Sequence, residues 1–143
     1  MGGTATFLLA QQVMSAEKPR ALVVDDDEPI RAMLGRIVEH QGFTVETARD
    51  GAEAIERLSA DGYSVVLLDL MMPNVDGWGV LTWMRAKRPD LIDCTILASA
   101  VPEREIARQL VDQVYKVHQK PFDMTELIED VRRCAKKNGS ASR

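Results

Sequence analysis

Cysteine is scarce in this 143-residue chain: there are two, Cys94 and Cys134, and neither falls in a CxxC or CxxH spacing. That argues against a disulfide-stapled fold and leaves no pattern for a structural zinc site. Both thiols are therefore expected to be free, Cys94 as a small core residue and Cys134 on a helix. Basic charge is also short. Eighteen Lys and Arg against 22 Asp and Glu give a formal net charge of -4 and a pI of about 5.2, without the basic face that nucleic-acid binding asks for. No apolar stretch approaches the roughly 18 residues of a membrane span. The patch Phe7-Leu8-Leu9-Ala10 is too short for a signal sequence, and no Lys or Arg precedes it. These absences point to a cytoplasmic protein whose partners are neither nucleic acid nor membrane. Residues 1–17 are expected to form a loose extension; a short helix over Thr6–Met14 that docks on the domain or a partner is the alternative.

What is present is enough for one domain with a core: 45% hydrophobic and 28% charged residues. Strands are expected over Ala21–Val24, Phe43–Ala48, Ser64–Leu68, Thr95–Ala98 and Val114–His118. Between them, helices are expected from Pro29 to His40, from Asp50 to Asp61, from Gly77 to Lys87 and from Glu103 to Leu110. A fifth helix follows Asp123 and Glu126. The first carries Ile30, Met33, Leu34, Ile37 and Val38 as a 3.6-residue stripe, opens on Pro29 and stops at Gly42. The polar stretch Lys136–Arg143 is expected to fray, so the domain is taken as residues 18–137 and residues 138–143 as a tail. Five alternations of strand and helix imply an α/β fold, a doubly wound five-stranded parallel sheet with helices on both faces.

Two of the apolar runs stop at carboxylates. Ala21-Leu22-Val23-Val24 ends in Asp25-Asp26-Asp27, and Val65-Val66-Leu67-Leu68 ends in Asp69 before the turn Pro73-Asn74-Val75-Asp76-Gly77. In a parallel sheet both runs deliver their acids to the carboxyl edge, where such sheets bind ligands. The fourth strand brings Ser99 to the same edge, and the fifth is followed by Lys120-Pro121. Clustered carboxylates repel one another and call for a hard cation such as Mg²⁺. A carboxylate beside a metal and a lysine is equipped to accept a phosphoryl group as nucleophile. On their own, the three consecutive acids also fit a solvated turn or a helix cap, and Ser99 also fits the plain end of a strand.

Taken in order, Val23-Val24-Asp25-Asp26-Asp27-Glu28-Pro29, Leu67-Leu68-Asp69-Leu70-Met71-Met72-Pro73-Asn74-Val75-Asp76-Gly77, Ser99-Ala100 and Lys120-Pro121-Phe122 resemble the receiver domains of two-component response regulators, over roughly Lys18–Lys137. The resemblance implies a flavodoxin-like sheet of order 2-1-3-4-5. It also implies roles. Asp69 matches the phospho-acceptor, Asp26 the direct metal ligand and Asp25 its water-linked neighbour. Met71 matches the residue whose backbone carbonyl meets the metal, Ser99 the hydroxyl that turns toward phosphate, and Lys120 the phosphate-binding lysine. Asp27 is read as a residue opening the helix.

The implied function is phosphorelay signalling. Asp69 would take a phosphoryl group, with Mg²⁺, from a sensor histidine kinase or a histidine phosphotransfer protein, and output would run through protein contacts or onward transfer. The implied state is a monomer or a weak phosphorylation-linked dimer. Too few residues follow the last helix to build an output domain, so a stand-alone receiver is expected, with a piece of a larger regulator or hybrid kinase as the alternative. One position departs from the family pattern: Val117 stands where receivers carry Tyr or Phe. Tyr115 lies two residues earlier, and alternation points His118 to the opposite face from Val117. His40 and His118 are both expected at the surface. The departure at Val117 keeps a second reading open, a receiver fold used as a phosphorylation-independent docking module. A third, a Mg²⁺-dependent phosphohydrolase, fits less well, because such enzymes place an Asp-x-Asp nucleophile after the first strand.

Overall fold

The computed structural model describes residues 18–141; the expectations for residues 1–17 lie outside the described residues. Among the described residues, five strands alternate with five α-helices: β1 Arg20–Val24, α1 Glu28–His40, β2 Thr44–Ala48, α2 Gly51–Ala60, β3 Val65–Leu68, α3 Gly77–Lys87, β4 Thr95–Ser99, α4 Glu103–Gln109, β5 Lys116–Gln119 and α5 Met124–Ala141. All four pairings are parallel, in the order β2-β1-β3-β4-β5, the flavodoxin-like arrangement.

The three central strands are the continuous apolar runs. Their residues are buried on both faces, save Arg20 at the start of β1. The edge strands β2 and β5 have mixed burial, which is why their sequences alternate instead. Leu22, Leu68, Leu97 and Ile96 have no exposed surface, and burying each such side chain contributes about 1.5–3 kcal/mol. Leu34 and Val38 of α1, Leu58 of α2, Val80, Leu81 and Met84 of α3, Ile106 of α4, and Leu127 and Val131 of α5 complete this core.

Aspartates set the helix starts. Asp27, Asp50 and Asp76 each accept from a backbone N–H three residues on, at 3.0, 2.8 and 3.0 Å. Asp123 likewise accepts from Glu126 N at 3.1 Å. Asp27 is thus the opening residue of α1, as its place in the sequence suggests. Gly42 ends that helix at φ 96°, a left-handed conformation that suits glycine. Cys94 and Cys134 are free and buried, and burial pushes both thiols up to about 12.

Several elements differ from expectation. A 3₁₀ turn, Pro89–Cys94, leads into β4; the proline stops α3, but the chain keeps turning until Leu91 and Cys94 are buried. β5 is assigned from Lys116 rather than Val114, although Tyr115 N–H already reaches Thr95 O at 2.8 Å. The expected frayed tail is a continuation of α5 to Ala141. Lys136 and Lys137 are good helix formers, and Asn138 ties the helix down by donating to Cys134 O at 2.8 Å and Ser64 O at 3.4 Å. His118 is buried rather than exposed. It faces α5, where its Nε2 meets Asp130 Oδ2 at 2.7 Å, and this partner is what makes burial of the ring affordable.

Candidate functional site

The hydrogen-bond ladder of the sheet runs one residue past its strands. Asp25 N–H donates to Ala48 O at 3.1 Å, Asp69 N–H to Val24 O at 3.0 Å, and Lys120 N–H to Ser99 O at 2.8 Å. Asp25, Asp69 and Lys120 are therefore mounted on paired backbone, although each sits at the mouth of a loop. Two glycines let the β3–α3 loop fold back over this edge. Gly77 N–H donates to Leu70 O at 3.0 Å, and a Cβ there would lie 2.3 Å from Asp69 O. Gly51, the first residue of α2, donates to Val75 O at 3.0 Å, and a Cβ there would meet that same oxygen at 2.3 Å. Asn74 completes the loop at φ 65°, a left-handed conformation that Asn tolerates better than most residues.

The result is one acidic cluster. Carboxylate oxygens of Asp25, Asp26 and Asp69 lie within 4.8 Å of one another. Asp25 and Asp69 are buried, at 2% and 4% exposure, while Asp26 faces solvent. Lys120 Nζ lies 3.0 Å from Asp25 Oδ2 and 3.5 Å from Asp69 Oδ2. The other oxygens take backbone donors, Asp27 N on Asp25 Oδ1 at 2.9 Å and Met71 N on Asp69 Oδ1 at 3.2 Å. Arg31 Nη1 holds the Asp25 carbonyl at 2.9 Å.

Three carboxylates against one ammonium leave a negative excess in a half-dry site. Burial, reinforced by Asp25 and Asp26, raises the Asp69 pKa even though Met71 N–H and Lys120 work the other way. For Lys120, burial works to lower the pKa, but Asp25 and Asp69 outweigh it and the group is raised. The donors are all hard oxygens, and the charge excess is relieved by a divalent cation; the residues present fit such an ion.

Five of the six residues picked out by sequence contribute to this edge directly. Asp25, Asp26, Asp69 and Lys120 converge, and Met71 joins them through its N–H while its side chain is 60% exposed. Ser99 is on the adjacent strand β4, fully buried, and its Oγ accepts from Val101 N–H at 3.2 Å. Val117 and Tyr115 are both half-buried against the core. Sequence reasoning passed over Arg31, Gly51 and Gln119. The only advance signal for Gly51 is its place at the first turn of α2; the other two look like ordinary surface residues until the loops close around them.

A parallel sheet that gathers three acids and a lysine at its carboxyl edge is arranged as a phospho-acceptor site. Residues 21–132 match the family described as response regulator receiver domain, and the chain belongs to that family. It is similar to the transcriptional regulatory protein PrrA of Mycobacterium tuberculosis, 38% identical over 125 residues, covering 87% of this chain and 53% of that protein. It is also similar to the response regulator MprA of Mycobacterium ulcerans, 38% identical over 114 residues, covering 79% and 48%. The chain thus spans about half the length of the curated relatives it matches. Among solved structures, the receiver domain of a Francisella response regulator superposes with a TM-score of 0.75 at 30% identity, covering 84% of this chain and 98% of that one. The response regulator TrrA of Thermotoga maritima, solved in complex with Mg²⁺–BeF, gives a TM-score of 0.71 at 30% identity over 81% of this chain and 98% of that one. The acidic cluster matches the divalent-metal site of such receivers. Among the described residues, no helix is long and apolar enough to cross a membrane.

Proposed function

We propose that Asp69 is the residue that takes the phosphoryl group, from a phosphohistidine on a sensor kinase or a phosphotransfer protein, in a cytoplasmic phosphorelay. The Asp69 carboxylate attacks phosphorus, an O–P bond forms as the P–N bond breaks, and the departing imidazole keeps the electron pair and picks up a proton. The observation that carries this reading is the convergence of Asp25, Asp26 and Asp69 within 4.8 Å around an ammonium 3.0 and 3.5 Å from two of them. Mg²⁺ is the ion we assign, with Asp26 and Asp69 as direct ligands, Asp25 acting through water and Met71 contributing its carbonyl; when bound it offsets charge on the phosphoryl oxygens. Lys120, with its ammonium 3.5 Å from Asp69 Oδ2, would stabilise those oxygens as well. The Ser99 hydroxyl donates to one of them once the group is attached.

An apolar patch of Ile30, Met33, Pro121, Phe122 and Met124 borders Lys120 and suits the docking of the protein donor. Output then runs through contacts with a further protein or onward transfer.

The test is intact mass after incubation with acetyl phosphate and Mg²⁺. The wild-type chain gains one phosphoryl group and Asp69→Asn gains none. A mutant that still gains it moves the acceptor elsewhere. A wild type that gains nothing supports the docking-module reading, for which the absence of an aromatic ring at Val117 is the specific observation.

A further inference from the structure

Helix α4 begins without a cap of its own. Pro102 stands at the N-cap position and makes no side-chain hydrogen bond there. The neighbouring strand supplies one. Gln119, the last residue of β5, accepts from Glu103 N–H through Oε1 at 3.0 Å. Its Nε2 donates to Val101 O at 2.6 Å and to Ala100 O at 3.3 Å. One carboxamide therefore fastens three points of the loop that follows Ser99.

That loop also holds the Ser99 hydroxyl, because Val101 N–H donates to Ser99 Oγ at 3.2 Å. For the hydroxyl to turn toward a phosphoryl group on Asp69 in the next strand, its bond from Val101 N–H has to break, and Val101 takes the shortest of the Gln119 bonds. At its other end Gln119 adjoins Lys120, whose N–H donates to Ser99 O at 2.8 Å and whose ammonium meets Asp25 and Asp69. Val117, on the same strand, offers only an apolar side chain for this task.

We infer that Gln119 is a positioning residue, a carboxamide clamp that keeps the Ser99–Glu103 turn in its unphosphorylated arrangement and links it to the lysine-bearing end of β5. The inference rests on the roles proposed above for Asp69 and Ser99. A group bonded in only one of two arrangements biases the equilibrium toward that arrangement by the net worth of its bonds. Removing it favours whatever binds the other arrangement.

Two variants of the full chain separate a clamp from a simple helix cap. Gln119 is exposed, so neither variant threatens the core. Gln119→Met removes both donor and acceptor at similar length. Gln119→Glu keeps an acceptor for Glu103 N–H but turns an oxygen toward the Ala100 and Val101 carbonyls, which repel it. Affinity for beryllofluoride in Mg²⁺ is read by calorimetry, with amide exchange at Glu103 measured alongside.

Both variants are expected to bind beryllofluoride more tightly, roughly three- to tenfold, with Gln119→Glu at least equal to Gln119→Met. Exchange at Glu103 speeds only in Gln119→Met. A role confined to capping α4 leaves Gln119→Glu at the wild-type affinity. That outcome, or affinities within about twofold of wild type for both variants, overturns the inference. The underlying reading of Asp69 fails by a different observation, a wild-type chain that gains no phosphoryl mass from acetyl phosphate, and that result takes the coupling with it.

Discussion

Asp69 is a carboxylate kept in a place that disfavours its charge. Burial and the neighbouring Asp25 and Asp26 raise its pKa above the ordinary carboxylate value. Its contribution to stability is therefore complete below about pH 4, the unfolded value, and is lost as pH rises through the higher folded value. Asp69→Asn removes this dependence. Without divalent cation, the melting temperature of Asp69→Asn should match that of wild type in acid and exceed it by a few degrees at neutral pH. Thermal melts between about pH 4 and 7.5 check this, and added Mg²⁺ should close the gap by stabilising only the wild type. The acids were legible in the sequence because they follow apolar runs, and Lys120 because Lys120-Pro121-Phe122 takes its place in the receiver-like order of motifs. Gln119 was not: nothing about a lone glutamine before Lys120 tells that its amide reaches back across β4 to Glu103. The burial of His118 was hidden for a similar reason, since its partner Asp130 lies 12 residues on and on another element.

Among the elements, the β3–α3 loop depends most on a single small residue. At Gly77 a Cβ would sit 2.3 Å from Asp69 O and 2.6 Å from Leu70 Cα, both backbone atoms that move only if the strand end moves. Gly77→Ala is expected to destabilise the fold by about 1–3 kcal/mol and to slow phosphoryl acceptance more than it lowers stability, because the displaced atoms belong to the acceptor itself. Urea unfolding paired with the rate of mass gain from acetyl phosphate measures both effects; an acceptance rate equal to wild type would show that the loop relaxes without disturbing Asp69. The strands most clearly announced by sequence, β1, β3 and β4, are the ones buried on both faces. Boundaries failed where long-range contacts decide them. The end of α5 is fixed in part by Asn138 reaching Ser64 O, a contact 74 residues apart in the chain that no local pattern carries.

For the whole molecule, the charge excess at one edge makes stability and ion binding a single quantity. A cation that binds the folded chain and not the unfolded one stabilises it by about 2.7 kcal/mol at a hundredfold excess over Kd, which for a domain of this size raises the melting temperature by roughly 5–10 °C. Differential scanning calorimetry across a Mg²⁺ series should show that rise, and Asp26→Asn should flatten it; a melting temperature indifferent to Mg²⁺ would count against the assigned ion.

The ladder bonds from Asp25 to Ala48, Asp69 to Val24 and Lys120 to Ser99 have a larger consequence. Because Asp25, Asp69 and Lys120 hang from the sheet's own lattice, thermal loosening of the distant loops leaves their backbone in place. On heating, the three groups should keep their register until the central strands themselves give way.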